Sequence, residues 1–277
     1  MTKVISEVVI FDFNTGTQST LIKVNSRIEA PNWMPSNDAL VVNGGGALFR
    51  VPLDAPKLVR VDTGSLQALN NDHGVSPDGE LFALTNRNYD VGAQIFTMPV
   101  AGGEPELISQ GGSYWHGWSP DGQTLAYTAR RDGIFDIHTI PAEGGQEVRL
   151  TFGFDHCDGP DYTPNGKWIW FNGERDGQVD LWRIPAEGGA PERMTDDERV
   201  NWFPHPSPDG RSVLYLAYPP GTEGHPEDLE VELRVMPQEG GRAETLVKLL
   251  GGQGTINVPC WSPDGQKFAF VRYAHSG

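Results

Sequence analysis

This sequence is poor in cysteine, poor in positive charge and has no long apolar run. Only two cysteines, Cys157 and Cys260, occur in 277 residues. They show no metal-ligand spacing and read as free thiols. Lys and Arg total 21 against 37 Asp and Glu, a formal charge of −16, which argues against nucleic acid or an anionic membrane as partner. No stretch approaches the ~18 apolar residues of a membrane-spanning helix, so no membrane insertion is expected. Met1 to Glu7 carries no signal-peptide apolar core. The expected location is cytoplasmic if Met1 is the native start, and periplasmic if an export signal was removed. There is no Gly-x-Ser-x-Gly elbow, no His-Glu-x-x-His helix and no Cys-x-x-Cys pair, so three familiar catalytic chemistries are set aside. Sustained helical periodicity is also missing.

What is abundant is turn chemistry, and it repeats. Val75-Ser76-Pro77-Asp78-Gly79, Trp118-Ser119-Pro120-Asp121-Gly122 and Trp261-Ser262-Pro263-Asp264-Gly265 are near-copies. Pro206-Ser207-Pro208-Asp209-Gly210, Tyr162-Thr163-Pro164-Asn165-Gly166 and a degraded Trp33-Met34-Pro35-Ser36-Asn37-Asp38 complete six. Their prolines are spaced by 42, 43, 44, 44 and 55 residues. Proline sets φ and glycine supplies positive φ, so each phrase reverses the chain between two strands. A β-branched or aromatic strand follows each turn, then a polar turn, a strand ending on proline and a Gly-Gly turn. A period of roughly 40–45 residues built this way predicts an all-β fold, a β-propeller of six blades.

The last repeat breaks off after one strand, while Ile10 to Gly16 matches the proline-ended strand and its glycine turn. The expectation is one domain, residues 1–277, with blade 6 shared by residues 1–24 and about 254–277, two strands from each end. Pairing the termini removes exposed sheet edges. A chain of this length buries about three quarters of its unfolded surface.

Subtracting the repeat leaves the candidate site. The fourth-to-first and second-to-third connections share one face, opposite the Ser-Pro-Asp-Gly turns. Four residues before each motif proline stand Pro31, Pro160, Pro204 and Pro259, but His73 and His116 in blades 2 and 3. Two imidazoles at equivalent depth in adjacent blades could share a divalent metal or flank a proton-transfer site; two polar residues satisfied by backbone is the simpler reading. Two positions earlier stand Glu29, Asn71, Tyr114, Asp158, Trp202 and Asn257. This polar and aromatic ring suits a small polar ligand or sugar, or a water-filled channel mouth.

Other departures fall on the same face. Asp72 precedes His73, and Asp155-His156-Cys157-Asp158 brings carboxylates and an imidazole into one loop. Gly251 to Asn257, with Gln253, is a glycine-rich loop whose N–H groups could hold an anion, although it is neither a P-loop nor a dinucleotide fingerprint. Blade 5 is lengthened by Pro219 to Asp228, which carries His225 and reads as a lid or contact loop. Arg87, Arg130, Arg131 and Arg175 could form a basic crescent for a carboxylate, or simply pair with abundant acids. His138 and His205 read as structural.

The Trp-Ser-Pro-Asp-Gly phrase, followed by an Arg-Asp-Gly turn and a Gly-Gly turn, resembles the TolB-type propeller with its WD40-like repeats, across the whole chain. Asn71-Asp72-His73, Asn201-Trp202-Phe203-Pro204-His205 and Gly252-Gln253-Gly254-Thr255-Ile256-Asn257 are similar to a bacterial subgroup without an assigned activity. The resemblance implies a ligand or protein partner held at the funnel. The family's namesake is periplasmic, carries an α/β domain before its propeller and meets a lipoprotein in the funnel; no counterpart of that domain occurs in these residues. Oligogalacturonate lyases also resemble this repeat, and that family holds a divalent metal on funnel histidines, a comparison resting here on His73 and His116. The leading expectation is therefore a module that binds a protein segment or small polar ligand. The alternative is a carbohydrate-active enzyme, a metal-assisted lyase or hydrolase of an acidic sugar, with Asp158 and Glu29 as acid, base or ligand.

Overall fold

A computed structural model describes residues 3–276. The first two strands are β1 (Lys3–Asp12) and β2 (Thr17–Val24). Blade 1 comprises β3 (Glu29–Trp33), β4 (Ala39–Gly44), β5 (Ala47–Pro52) and β6 (Val59–Arg60). Blade 2 comprises β7 (Leu69–Val75), β8 (Leu81–Asn86), β9 (Gln94–Pro99) and β10 (Glu106–Ser109). Blade 3 follows with β11 (Ser113–Trp118), β12 (Thr124–Arg131), β13 (Ile134–Pro141) and β14 (Val148–Arg149). Blade 4 is β15 (His156–Tyr162), β16 (Trp168–Arg175), β17 (Gln178–Pro185) and β18 (Glu192–Arg193). Blade 5 is β19 (Val200–Pro206), β20 (Ser212–Tyr218), β21 (Leu229–Pro237) and β22 (Glu244–Gly251), and β23 (Lys267–Ser276) ends the chain.

Blades 1 to 5 are four-stranded antiparallel meanders in chain order, and the sixth sheet runs β2-β1-β23. β1 pairs with β23 from Lys3–Ser276 to Asp12–Lys267, so the two ends of the chain close the ring. The expected first strand of blade 6 is not regular. It survives as one bridge between Trp261 and Phe268, supported by N–H bonds from Ala269 to Cys260 and from Val271 to Thr255. Pro259 has no N–H to give a ladder, and the glycines before it favour a coiled path.

The repeated turn works through side-chain oxygens. In blade 3, Ser119 Oγ donates to Asp121 Oδ1 at 2.6 Å and accepts the Thr124 N–H at 2.9 Å. The Gln123 N–H also reaches Asp121 Oδ1, at 3.0 Å. Blades 2, 4, 5 and 6 repeat the arrangement, with Thr163 and Asn165 substituting in blade 4. In blade 1, Asn37 takes the glycine position with φ of 57° and accepts the Trp33 indole N–H, which explains how the degraded phrase still turns.

The inner strands β7 and β19 are buried throughout and β3, β11 and β15 at all but one position, whereas the outer β6 and β18 are exposed. Blades are stitched to their neighbours by polar side chains. Asn32 accepts the Val75 N–H, Thr85 the Trp115 N–H and Asn172 the Phe203 N–H. Gly74 allows close approach, since a Cβ there would lie 2.0 Å from the Trp115 ring. Cys157 and Cys260 are free and buried. Among the described residues no helix is long and apolar enough to cross a membrane.

Candidate functional site

The inner strands meet their second strands through bulges, and the bulges differ. In blades 1, 4 and 5 two residues are extruded, Ala30-Pro31, Gly159-Pro160 and Phe203-Pro204. The first of each pair takes positive φ, 56°, 61° and 53°. In blade 2 three residues are extruded, Asn70, Asn71 and Asp72, while His73 is already back in register opposite Leu84. In blade 3 only His116 is extruded, between Trp115 and Gly117. A bulge re-aims side chains that a regular strand would send elsewhere. Here it delivers Asn70, Asn71, Asp72 and His116 to one cavity.

That cavity encloses about 500 Å³ on the funnel face. Blade 2 supplies Asn70 to Asp72 and Arg87 to Tyr89, and blade 3 supplies Tyr114, His116, Thr128 and Phe135. His156 and Asp158 come from blade 4, His225 from blade 5, and Gln253 and Asn257 from the approach to blade 6. Tyr114 and Phe135 lie 6.2 Å apart, and Phe135 stacks on His156 at 4.8 Å.

Asp158 is the hub. Thr128 Oγ1 and the Gly159 N–H donate to its Oδ1 at 2.7 and 2.8 Å, and His116 Nε2 lies 3.0 Å from the same oxygen. Its Oδ2 faces His225 Nε2 at 3.7 Å and His156 Nε2 at 3.9 Å. Burial opposes the charge on Asp158, yet His116 and His156 hold its carboxyl well below the usual range. Burial likewise opposes charge on His116 and His156, but Asp158 holds both above the ordinary imidazole value. His225 is lowered, chiefly by burial.

Asp72 is different. Its neighbours are two amides: Asn257 Nδ2 donates to Oδ1 at 2.5 Å, and Asn70 Nδ2 donates to Oδ2. An imidazole nitrogen, His116 Nε2, stands 3.9 Å from Oδ1. Burial pushes its carboxyl up to about 6, with His116 pulling the other way. Two carboxylates in one cavity are thus driven apart in acidity by their surroundings.

Three of the expected residues are not at the cavity. His73 is buried with no partner on either ring nitrogen, and burial alone carries its pKa down to about 3. His73 and His116 therefore do not converge; the three-residue bulge of blade 2 sets its register differently from the one-residue bulge of blade 3. No group of three His, Cys, Asp or Glu among the described residues is arranged to hold a metal ion. Glu29 packs beneath Gly254, whose Cβ would lie 2.7 Å from Oε1, and its other oxygen is 3.4 Å from Asn43 Nδ2. Trp202 sits behind the wall, 4.4 Å from the His225 ring and 5.9 Å from that of His156.

The glycine-rich loop does not present a free N–H nest. The Gly252 N–H bonds Thr255 Oγ1, the Gln253 N–H bonds the Pro226 carbonyl, and the Thr255 N–H bonds the Gly252 carbonyl. At Gly252, φ is 122° and a Cβ would fall 2.1 Å from Pro226 O, so only glycine admits this contact. The blade 5 insertion is anchored as well: Arg27 Nη2 holds both oxygens of Asp228 at 2.9 and 2.8 Å, and Tyr218 OH donates to Pro226 O. It acts as a strap that carries His225 to the cavity.

Of the four arginines, Arg131 pairs with Glu147 at 2.6 Å, and Arg175 stacks on Phe154 and Trp182. Arg130 lies over Phe135, and Arg87 is exposed at the cavity mouth. His205 bridges Asp161 Oδ2 at 3.0 Å and the Ile256 carbonyl at 2.6 Å, a structural role. Sequence reasoning missed Asn70, Thr128, Phe135, Asn88 and Tyr89 as wall residues. Only the polar turn beginning at Arg87 offered a signal for the last two.

Comparison with known proteins places this architecture. The TolB beta propeller domain family matches residues 116–225. An uncharacterised protein of Agrobacterium fabrum is 44% identical over 97% of this chain and 92% of its own length. A solved structure from Agrobacterium tumefaciens, provisionally assigned as TolB, is 43% identical, covers 99% of both chains and superposes with a TM-score of 0.95. TolB of Acinetobacter baumannii shares the fold at TM-score 0.71 and 19% identity, over 91% of this chain and 65% of that one. The chain belongs to the TolB-like β-propeller family.

Proposed function

We propose that this TolB-like propeller is a receptor for a small polar ligand of about sugar size, held in the funnel cavity. The observation that carries the reading is convergence: polar and aromatic side chains from five blades line one recess of about 500 Å³. That volume lies in the range of small-molecule sites and is too confined for a broad protein contact. Tyr114 and Phe135 offer an aromatic wall, and Asp72, Asp158, His116 and Asn257 offer a buried hydrogen-bonding floor. The protein-segment alternative is left to the exposed rim, where Tyr89 is 96% accessible.

The test is ligand-observed NMR with a panel of hexoses, hexosamines, hexuronates and small aromatic alcohols, amines and acids. At least one chemical group is expected to bind, and Tyr114→Ala is expected to weaken it about tenfold through lost ring contact. Binding by no member, or equal binding by the variant, contradicts the reading.

One observation favours chemistry as a second reading. Asp72 and Asp158 are pushed to opposite sides of the ordinary carboxylate range with His116 between them, the pattern of an acid–base pair. Conversion of a panel member to product, lost in His116→Asn with binding retained, supports this reading; an unchanged panel after prolonged incubation contradicts it.

A further inference from the structure

The buried floor of the cavity is short of donors, and the shortage is local. Asp72 is 5% exposed, and its two oxygens receive N–H groups only from the neutral amides of Asn70 and Asn257. Asn257 is 1% exposed, and its Nδ2 is committed to Asp72 Oδ1 and the Asn71 carbonyl. That commitment fixes the amide orientation, because an ionised carboxylate accepts and cannot donate. Asn257 Oδ1 is left as a buried acceptor with no donor. Buried acceptors of this kind are normally satisfied.

Charge points the same way. Asp158 has His116 at 3.0 Å, so those two neutralise each other. Asp72 has no cation at contact distance, its nearest being the same His116 at 3.9 Å. Of the other ionisable groups acting on Asp72 or Tyr114, Glu29 and Asp158 are acidic and Arg87 and Arg130 are exposed, while His156, raised in pKa, faces Asp158 rather than Asp72. A ligand carboxylate on this floor would meet Asp72 and Asp158. An ammonium would offer its N–H donors to Asp72 and to Asn257 Oδ1 and supply the missing positive charge.

We infer that the cavity selects ligands bearing a primary or secondary ammonium, with Asp72 as counter-ion and Asn257 Oδ1 as second acceptor. This rests on the reading of the cavity as a small-ligand site and names the chemistry that site prefers. A neutral hydroxyl satisfies one acceptor without answering the charge, so it is the weaker occupant.

The test uses matched triads on two scaffolds with the intact protein: glucosamine, glucose and glucuronate, then benzylamine, benzyl alcohol and benzoate. Dissociation constants are measured at pH 7.5 by NMR titration. On at least one scaffold the amine is expected to bind about tenfold tighter than its neutral partner, and the acid more weakly than either. Asp72→Asn, nearly isosteric, is expected to bring the amine and neutral affinities within about twofold of each other, whatever their absolute values. The wild-type ranking stands as the test even if the variant fails to fold. Neutral or acidic members binding as well as the amines overturn the inference and leave the small-ligand reading intact. Absence of binding by all six compounds overturns both.

Discussion

The turn face and the funnel face of this ring use the same residue types, aspartate, asparagine, serine and threonine, under opposite conditions. On the turn face every partner is local. Ser76, Ser119, Ser207 and Ser262 each donate to the aspartate two residues on, and a backbone N–H completes the set. Led by that serine hydroxyl, these bonds lower the carboxyl of Asp78, Asp121 and Asp264. On the funnel face burial leads, and the partners include remote residues as well as local ones. Asp72 is bonded by Asn257, 185 residues away, and is raised to about 6; Glu29 is raised to about 7. A carboxylate satisfied by its own turn contributes to folding. One that is buried and only partly satisfied costs folding energy and is free to answer a ligand donor.

This contrast can be broken first at the closure. Removing residues 3–24 deletes β1 and β2 and leaves β23 unpaired, so the cooperative urea transition is expected to disappear; an unchanged transition shows that the ring closes without them. Next comes packing between blades. Gly74→Ala drives a methyl into the Trp115 ring, at a cost of about 3 kcal/mol in urea denaturation. A change below experimental error there means the interface yields more readily than its geometry implies.

The pH response sharpens the comparison by sign. Burial, then Glu227, raises the folded pKa of Glu29, so the folded state binds its proton more tightly than the unfolded chain does. Ionising Glu29 therefore destabilises the fold as pH rises through about 7, and the penalty is relieved below the unfolded carboxyl value. Glu29→Gln is expected to gain stability over wild type at pH 8, with the gain shrinking by pH 5. A gap that is constant with pH contradicts the assignment. The smallest effect belongs to the turn. Asp264→Ala removes the acceptor for Ser262 Oγ and the Gln266 N–H, and with solvent competing it costs about 0.5–1 kcal/mol. Because its folded pKa is depressed, that contribution is present above the unfolded value near 4 and fades as pH falls below it.

The fold was legible because each blade repeats one hydrogen-bonded turn, and the pairing of β1 with β23 followed from a repeat that stops short. Blade 6 departed from expectation where Pro259 and the glycine-rich stretch prevent a ladder. The lining of the candidate cavity was legible where a residue broke the repeat, as at His116, Asp158, His225 and Asn257. It was illegible where equal spacing concealed unequal bulges. His73 and His116 stand the same distance before their motif prolines, yet one is paired and the other extruded. A shift of one position in a strand sends a side chain to the other face. Phe135 was missed because a lone aromatic after an Asp-Gly turn carries no sign of which strand it will face.

The most direct test places one variant from each face side by side. Asp72→Asn and Asp264→Ala are compared for affinity toward the tightest-binding panel compound and for urea midpoint. The account predicts a double separation: Asp72→Asn loses about tenfold in affinity without a lower midpoint, and Asp264→Ala lowers the midpoint with affinity unchanged. Equal affinity in the two variants would contradict the claim that function resides where the repeat is broken.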